Sequence, residues 1–423
     1  MVTDKVRLAF YMYSPAIGGA ERYLRDLLWA LNRDRYEVTL FYEPWPALEQ
    51  FLDLDAAPPL HRYPVEVREV SMAARDLSHP LPRKLITCRL LHRTGRLFNP
   101  YRWTLSNYRR LQSALASTPI DVLHIHNGGY PGASTAQLAS IAANAVGIPA
   151  CVMSVASMPL YLRFPRFIER RFDHRVENTV DRFVVVAQGI GRALEQWRGF
   201  RAEKIRPIYC GVARPQIELA QVEMTALRCR LGLSSTSIVI GMVARLFPGK
   251  GHDCLLQALA QIGGENLFGK VQVLLVGGGP LLSQLQAYTL ELWLKSLVRI
   301  AGRLPEHSDV LRAMLACDII TLPSEMEGLP YVITEAMSLA KPVVASSIGG
   351  IPEQIVEGET GLLVPPRDPS ALAKAIWLLI NDSAMRQQMG INARARYEAK
   401  FTLERMLEEH ETLYQTLCGD EAS

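Results

Sequence analysis

Paired cysteines, long apolar runs and a strong charge of one sign are all missing from this 423-residue chain, and each absence removes a class of protein. The seven cysteines (Cys88, Cys151, Cys210, Cys229, Cys254, Cys317 and Cys418) are scattered, odd in number and never arranged as CxxC. That usage argues against a disulfide framework or a zinc site and for reduced thiols in a cytoplasmic protein. No apolar run reaches the roughly 18 residues needed to span a bilayer, so any membrane contact is expected to be peripheral. The first residues, with Asp4, Lys5 and Arg7 ahead of a short apolar stretch, lack the shape of a signal peptide. A formal net charge of +4 is too small at this length to point by itself to nucleic acid or membrane. Low-complexity tracts and short-period repeats are also missing, which sets aside disordered and solenoid architectures.

What is present is ordinary globular composition, 49% hydrophobic and 21% charged, in a chain long enough for two cores. Val6 to Met12 reads as a buried strand, followed by a Gly18-Gly19 turn, a helix with Leu24, Leu27, Leu28 and Leu31 at helical spacing, and a second strand at Val38 to Phe41. Strand patterns recur at Asp121 to His126, Pro149 to Met153 and Arg182 to Val186. A linker is expected near Tyr209 to Pro215, and a second series then runs through Ile238 to Val243, Gln272 to Val276, Val298 to Ile300, Asp318 to Leu322 and Pro342 to Ala345. The predicted class is α/β, with two Rossmann-like parallel-sheet domains and ligand sites outside the carboxyl ends of the strands.

The chemistry-bearing residues cluster in loops after these strands. Glu327-Gly328-Leu329-Pro330-Tyr331-Val332-Ile333-Thr334-Glu335 follows one strand and opens a helix. Its backbone N–H groups can bind an anion and its carboxylates can accept from sugar hydroxyls; the alternative is that the acids merely favour a helix N-terminus. Arg245 and Lys250 flank a Gly/Pro-bearing loop where two cations could stabilise a departing diphosphate, although lone surface cations are commonly just solvated. Gly18 and Gly19 would let backbone approach a ligand, a weak signal alone. Leu275-Val276-Gly277-Gly278-Gly279-Pro280 superficially suggests a dinucleotide fingerprint, but Leu282 stands where the third glycine belongs. Asp53-Leu54-Asp55 reads as a solvated turn rather than a metal motif.

Taken together, the pieces resemble the family-four glycosyltransferases over nearly the whole chain: GGAE at Gly18 to Glu21, VARLFPGKG at Val243 to Gly251, VGGGP at Val276 to Pro280, two glutamates separated by seven residues, and PVVASSIGGIPEQIVEGETGLLVPP from Pro342 to Pro366. The resemblance implies a GT-B fold, two Rossmann-like domains facing across a cleft. An N-terminal acceptor-side domain would span about residues 1–212, a donor-binding domain about 213–396, and a helix in about 397–423 would pack back on the N-domain. It implies a retaining hexosyltransferase that moves a sugar from a nucleotide-diphosphate donor to a hydroxyl acceptor, glycan or lipid-linked, such as a surface polysaccharide precursor. By position, Arg245 and Lys250 match the diphosphate-binding pair, Glu327 the acid on the transferred sugar and Glu335 the acid on the ribose. The backbone of Gly328, Leu329, Pro330, Tyr331 and Val332 would face sugar and phosphate, Leu304 the base, and Gly18 and Gly19 the donor phosphates. No metal or other cofactor is implied. Two departures bear on the acceptor side: Ser154 stands at the family's usual histidine position, with His126 as the nearby alternative, and Cys210 replaces the usual asparagine. The alternatives are a sugar-nucleotide epimerase or hydrolase of the same fold, or a non-catalytic sugar-nucleotide-binding scaffold.

Leu77 to Ile120 carries eight arginines and lysines and no acid, interleaved with Leu85, Leu90, Phe98 and Trp103, and Tyr161 to Arg171 repeats the character. Both stretches fit either an anionic membrane surface, which would place the protein on the inner face of the membrane, or arginines snorkelling over the N-domain. Nucleic acid is not an expected partner, since no recognised binding module accompanies the charge.

Overall fold

Alternating strand and helix patterns require crossover connections, and each half of the chain resolves them into one parallel sheet. The computed structural model describes residues 5–14, 17–67, 104–161, 166–217 and 221–419. Internal contacts divide the chain into two units: Met1–Val185 with Gly191–Pro207 and Glu409–Ser423, and Val186–Ile190 with Ile208–Glu408.

The first unit holds β1 (Val6–Met12), β2 (Tyr36–Tyr42), β3 (His61–Pro64), β4 (Val122–Asn127), β5 (Ala150–Val155), β6 (Arg182–Val185) and β7 (Ile205–Pro207). Their order is β3-β2-β1-β4-β5-β6-β7, parallel throughout. The second unit holds β8 (Ile238–Val243), β9 (Val271–Val276), β10 (Val298–Gly302), β11 (Ile319–Leu322), β12 (Val343–Ser346) and β13 (Gly361–Val364), ordered β10-β9-β8-β11-β12-β13 and again parallel. In each sheet the chain builds outward from its first strand and then restarts on that strand's other side. This reversal opens a crevice at the carboxyl ends of β1 and β4, and of β8 and β11, where doubly wound sheets bind ligands.

Ten strands were legible as apolar runs; β3, β7 and β13 were not. All three are sheet edges, and no residue of β3 or β7 is fully buried, so these two carry little apolar signal. In the second core, Ile240 and Met242 of β8 are covered by Leu255, Leu256 and Leu259 of helix His252–Ile262 and by Leu372, Ile376 and Leu379 of helix Pro369–Asn381. Each fully buried side chain of this kind contributes roughly 1.5–3 kcal/mol. The Val186–Ile190 segment is fastened to the second unit by Glu353, whose carboxylate accepts from the amides of Gln188 (2.8 Å) and Gly189 (2.7 Å).

The tail expected as one helix from Tyr397 is two helices, Ser383–Lys400 and Leu403–Cys418. The break comes where Phe401 turns inward, its carbonyl accepting from Val212 N–H (3.0 Å) while Leu403 N–H donates back to Val212 (3.0 Å). The six described cysteines are all free thiols. Asp53 ends helix Pro46–Leu52 with φ 49°, and Asp55 pairs with Arg62 (3.2 Å). Among the described residues no helix is long and apolar enough to cross a membrane.

Two-residue alternation puts His124 and His126 of β4 on one face of the first sheet. Both are buried. His124 Nδ1 meets the Tyr414 hydroxyl (2.6 Å) and stacks on His410, whose Nε2 meets the Tyr23 hydroxyl; His126 stacks on Tyr23. Burial, with the neighbouring histidines, holds His124 well below its ordinary range, and burial takes His126 down to about 4 despite a favourable backbone contact at Ala20. In the second unit burial takes His252 to about 4 as well.

These rings stay neutral in the native state while unfolded histidines take up protons, so stability falls as pH drops from about 6.5 toward about 4. A single ring shifted this far contributes on the order of 3 kcal/mol. Thermal melts at pH 7.5 and 5 are expected to show a clear loss of midpoint at the lower pH. His126→Gln should flatten that dependence, and an unchanged slope would contradict the account.

Candidate functional site

At the β8/β11 crevice four loops interlock through backbone contacts that leave no room for a Cβ. Ala244 N–H donates to Val276 O (3.0 Å) and Leu246 N–H to Gly278 O (2.9 Å), joining the loop after β8 to the loop after β9. A Cβ on Gly277 (φ 148°) would lie 1.9 Å from Ala244 O, and one on Gly279 (φ 156°) 2.3 Å from Leu246 O. The VGGGP glycines are therefore explained by loop packing, and the helix that follows begins only at Leu282. On the other side, Glu325 N–H donates to Gly249 O (2.8 Å) and Gly350 N–H to Gly328 O (2.6 Å). Gly251 (φ 82°) abuts the Pro323 carbonyl and Gly349 (φ 53°) the Glu327 carbonyl.

On this scaffold Lys250 Nζ reaches Glu327 Oε1 at 2.6 Å, with the two side chains 23% and 12% exposed. Arg245, in the same loop as Lys250, is exposed; its guanidinium lies over the Phe247 ring, 5.2 Å from the centroid, and has no carboxylate partner among the described residues. Glu335 is buried, and its Oε1 lies 3.1 Å from His307 Nε2. Helix Tyr331–Ser338 starts after Pro330, so Glu327 precedes it and Glu335 lies beyond its first turn, which contains no acid. Glu327 thus lies before the helix, as expected, whereas the expected placement of Glu335 at the helix start needs correction, and dipole stabilisation does not account for it. Buried Gln354 fixes the helix start by donating to Pro330 O (3.1 Å) and Thr334 Oγ1 (2.7 Å). Gly328, Leu329 and Tyr331 are buried and Val332 half-buried along this turn. Leu304, half-buried, lies in the turn before helix His307–Leu315.

Sequence reasoning missed two residues here. His307 carries no local signal, because its contact with Glu335 arises from the next strand–helix unit. His252, one residue past Gly251, is a buried ring with no hydrogen-bond partner among the described residues.

In the first unit, Gly18 is extended (φ −161°) and caps helix Gly19–Ala30, its N–H donating to Glu21 Oε2 (2.7 Å) while Ser14 donates to Oε1. Register pairs His126 of β4 with Ser154 of β5, and the His126 Nδ1 to Ser154 Oγ distance is 3.0 Å, both side chains enclosed. Most of the Arg-rich stretch, residues 77–103, lies outside the described residues, as do residues 162–165 of the second basic stretch. Of the described remainder, Arg110 pairs with Glu66 (3.5 Å), Tyr161 stacks on Trp197 (3.9 Å), and Arg170 and Arg171 are exposed.

Comparison with known proteins covers both halves. The family described as Glycosyltransferase Family 4 matches residues 17–214, and Glycosyl transferases group 1 matches residues 224–396. The GDP-mannose-dependent monoacylated alpha-(1-6)-phosphatidylinositol monomannoside mannosyltransferase of Corynebacterium glutamicum is 32% identical over 201 residues, 46% of this chain and 51% of that protein. The alpha-D-kanosaminyltransferase of Streptomyces kanamyceticus is 26% identical over 311 residues, 71% of this chain and 78% of that protein. The chain spans about half the length of the first curated relatives it matches. Anabaena HepE in complex with UDP superposes with a TM-score of 0.73 at 22% identity, covering 97% of this chain and all of that one. With one glycosyltransferase description matched to each parallel-sheet half, the chain belongs to glycosyltransferase family 4 and has the GT-B fold.

Proposed function

We propose that the protein is a retaining glycosyltransferase that moves a sugar from a nucleoside diphosphate donor to a hydroxyl acceptor. The observation that carries this reading is the Lys250–Glu327 pair at the β8/β11 crevice, with Arg245 exposed in the same loop as Lys250 and Glu335 buried in the helix that follows Glu327. A half-buried ion pair is held only while each charge has a partner. A donor offers a partner to both: its diphosphate takes Lys250 and Arg245, and a hydroxyl of its sugar takes Glu327. Glu335, oriented by His307, accepts from the ribose, and Leu304 lies against the base. The relatives support an activated sugar as donor, since one is named for GDP-mannose and HepE structures hold UDP and UDP-glucose.

In the transfer the bond from the anomeric carbon to the phosphate oxygen breaks and a bond to the acceptor oxygen forms on the same face. The acceptor proton passes to the departing diphosphate, whose growing charge Arg245 and Lys250 neutralise in place of a metal ion. His126 and Ser154 face each other in an enclosed site, which favours support of the sheet end over contact with the acceptor. The acceptor is a glycan or lipid-linked hydroxyl, and the Arg-rich Leu77 to Ile120 stretch fits peripheral contact with the anionic inner face of a membrane.

Lys250→Ala is expected to lower turnover more than tenfold, over about 1.4 kcal/mol on the barrier, in a diphosphate-release assay with a nucleotide-sugar panel. Turnover is expected to survive EDTA, and transfer rather than acceptor-independent hydrolysis should dominate. Wild-type rates in Lys250→Ala would sink the assignment.

Ribose discrimination tests the second acid. The parent is expected to prefer the ribonucleoside diphosphate over its 2′,3′-dideoxy analogue by about tenfold or more, as befits a hydrogen bond to a charged group. Glu335→Ala should abolish that preference, His307→Ala should reduce it and His307→Gln should largely keep it, all read by calorimetry. An undiminished preference in Glu335→Ala contradicts the ribose role, whereas one lost only in Glu335→Ala contradicts the role of His307 alone.

A further inference from the structure

Helix Leu282–Glu291 of the second unit ends, like helix Tyr331–Ser338 at Ala340 (φ 54°), with a non-glycine residue in the left-handed region. It closes through Trp293, whose φ of 59° lies in the left-handed region, with Trp293 N–H donating to Leu290 O (3.1 Å) and Leu294 N–H to Thr289 O (2.8 Å). Helix Gln221–Arg230 closes by the same pair of bonds, Gly232 N–H to Cys229 O (2.9 Å) and Leu233 N–H to Arg228 O (2.8 Å), but with glycine at the left-handed position (φ 70°). Glycine adopts this conformation without steric cost and a tryptophan does not. Burial does not offset that cost, because Trp293 is 91% exposed, the most open of the large apolar side chains described. Folding therefore gives no reason for tryptophan at this position.

Its neighbours supply one. Trp293 lines a recess of about 500 Å³ with Leu290, Lys295, Ser296 and Arg299. Arg299, on edge strand β10, holds the Gly232 carbonyl through Nε (3.3 Å), and neither it nor Lys295 has a carboxylate partner among the described residues. The patch thus combines an unburied indole, an exposed Leu290 and two unneutralised cations.

We propose that this corner of the second unit is a docking surface for an anionic phospholipid membrane, with Trp293 at headgroup depth and Lys295 and Arg299 on lipid phosphates. Two of its five lining residues are cations, whereas the centre of a stable protein interface is depleted of charge. A second copy across a two-fold axis would also bring the same two cations face to face. A lipid surface needs neither an uncharged centre nor symmetry: an interfacial indole and individual basic residues each contribute on their own. The patch is independent of the Arg-rich Leu77 to Ile120 stretch and of the catalytic reading.

The test uses the full chain with vesicles of phosphatidylglycerol and phosphatidylcholine, against phosphatidylcholine alone. Trp293→Gly is expected to melt no lower than the parent, since it removes left-handed strain, while its partition to the anionic vesicles falls at least fivefold. The emission component missing from Trp293→Gly should be the one quenched by brominated lipid, and the double variant Lys295→Glu/Arg299→Glu should lose partition to a similar degree. Unchanged partition in Trp293→Gly, no quenching of that component, equal binding to neutral vesicles or no vesicle binding by the parent would each overturn the proposal. So would a dimer in light scattering that Trp293→Gly dissolves, which would assign the patch to a second copy.

Discussion

The candidate site depends on one constraint, the approach of four loop backbones so close that no Cβ fits between them. Carbonyls of Ala244, Leu246, Pro323 and Glu327 occupy space that a side chain on Gly277, Gly279, Gly251 or Gly349 would need. These loops leave the carboxyl ends of β9, β8, β11 and β12, four neighbours in one parallel sheet, so sheet order sets which loops meet and glycine sets how closely. A polar side chain mounted on such a frame has little freedom to drift, which is what a preorganised electrostatic site requires.

Charge placement follows from that frame. Lys250 and Glu327 satisfy one another in a half-buried position where an isolated partner would be strongly disfavoured. The arrangement is stable without a ligand, yet an anion and a hydroxyl arriving together can replace both halves of the pair. Arg245 differs because it is exposed and has no carboxylate partner among the described residues, so solvent already satisfies it. Glu335 is more deeply buried than Glu327 and takes its orientation from His307.

The first unit uses burial for another purpose. His124, His126 and His410 sit among Tyr23, Tyr36 and Tyr414 as buried, hydrogen-bonded rings, joining β4 to helix Gly19–Ala30 and to the end of helix Leu403–Cys418. The bonds His124–Tyr414, His410–Tyr23 and His126–Ser154 favour a single packing, because a slip would break them where no water replaces them. The fold holds the start of the GGAE helix and the strand end beside it through this cluster.

Local pattern in the sequence determined the α/β class, ten of the thirteen strands, and the presence of cations and acids in loops after strands. Those features rest on apolar periodicity and turn chemistry, which act over a few residues. It also carried the ordered motifs that mark the family. Tertiary structure alone decided which of these residues meet. Lys250 and Glu327 stand 77 positions apart and touch because β11 returns to lie beside β8. His307, at the start of the helix between β10 and β11, meets Glu335 in the helix after β11, and Glu335 lies beyond the first turn of that helix, where a dipole argument no longer applies. Edge strands β3 and β7 escaped notice because none of their side chains is fully buried, so they carry no apolar run. Periodicity reports what a segment is, whereas contact between distant segments is set by strand order, which no local stretch of sequence contains.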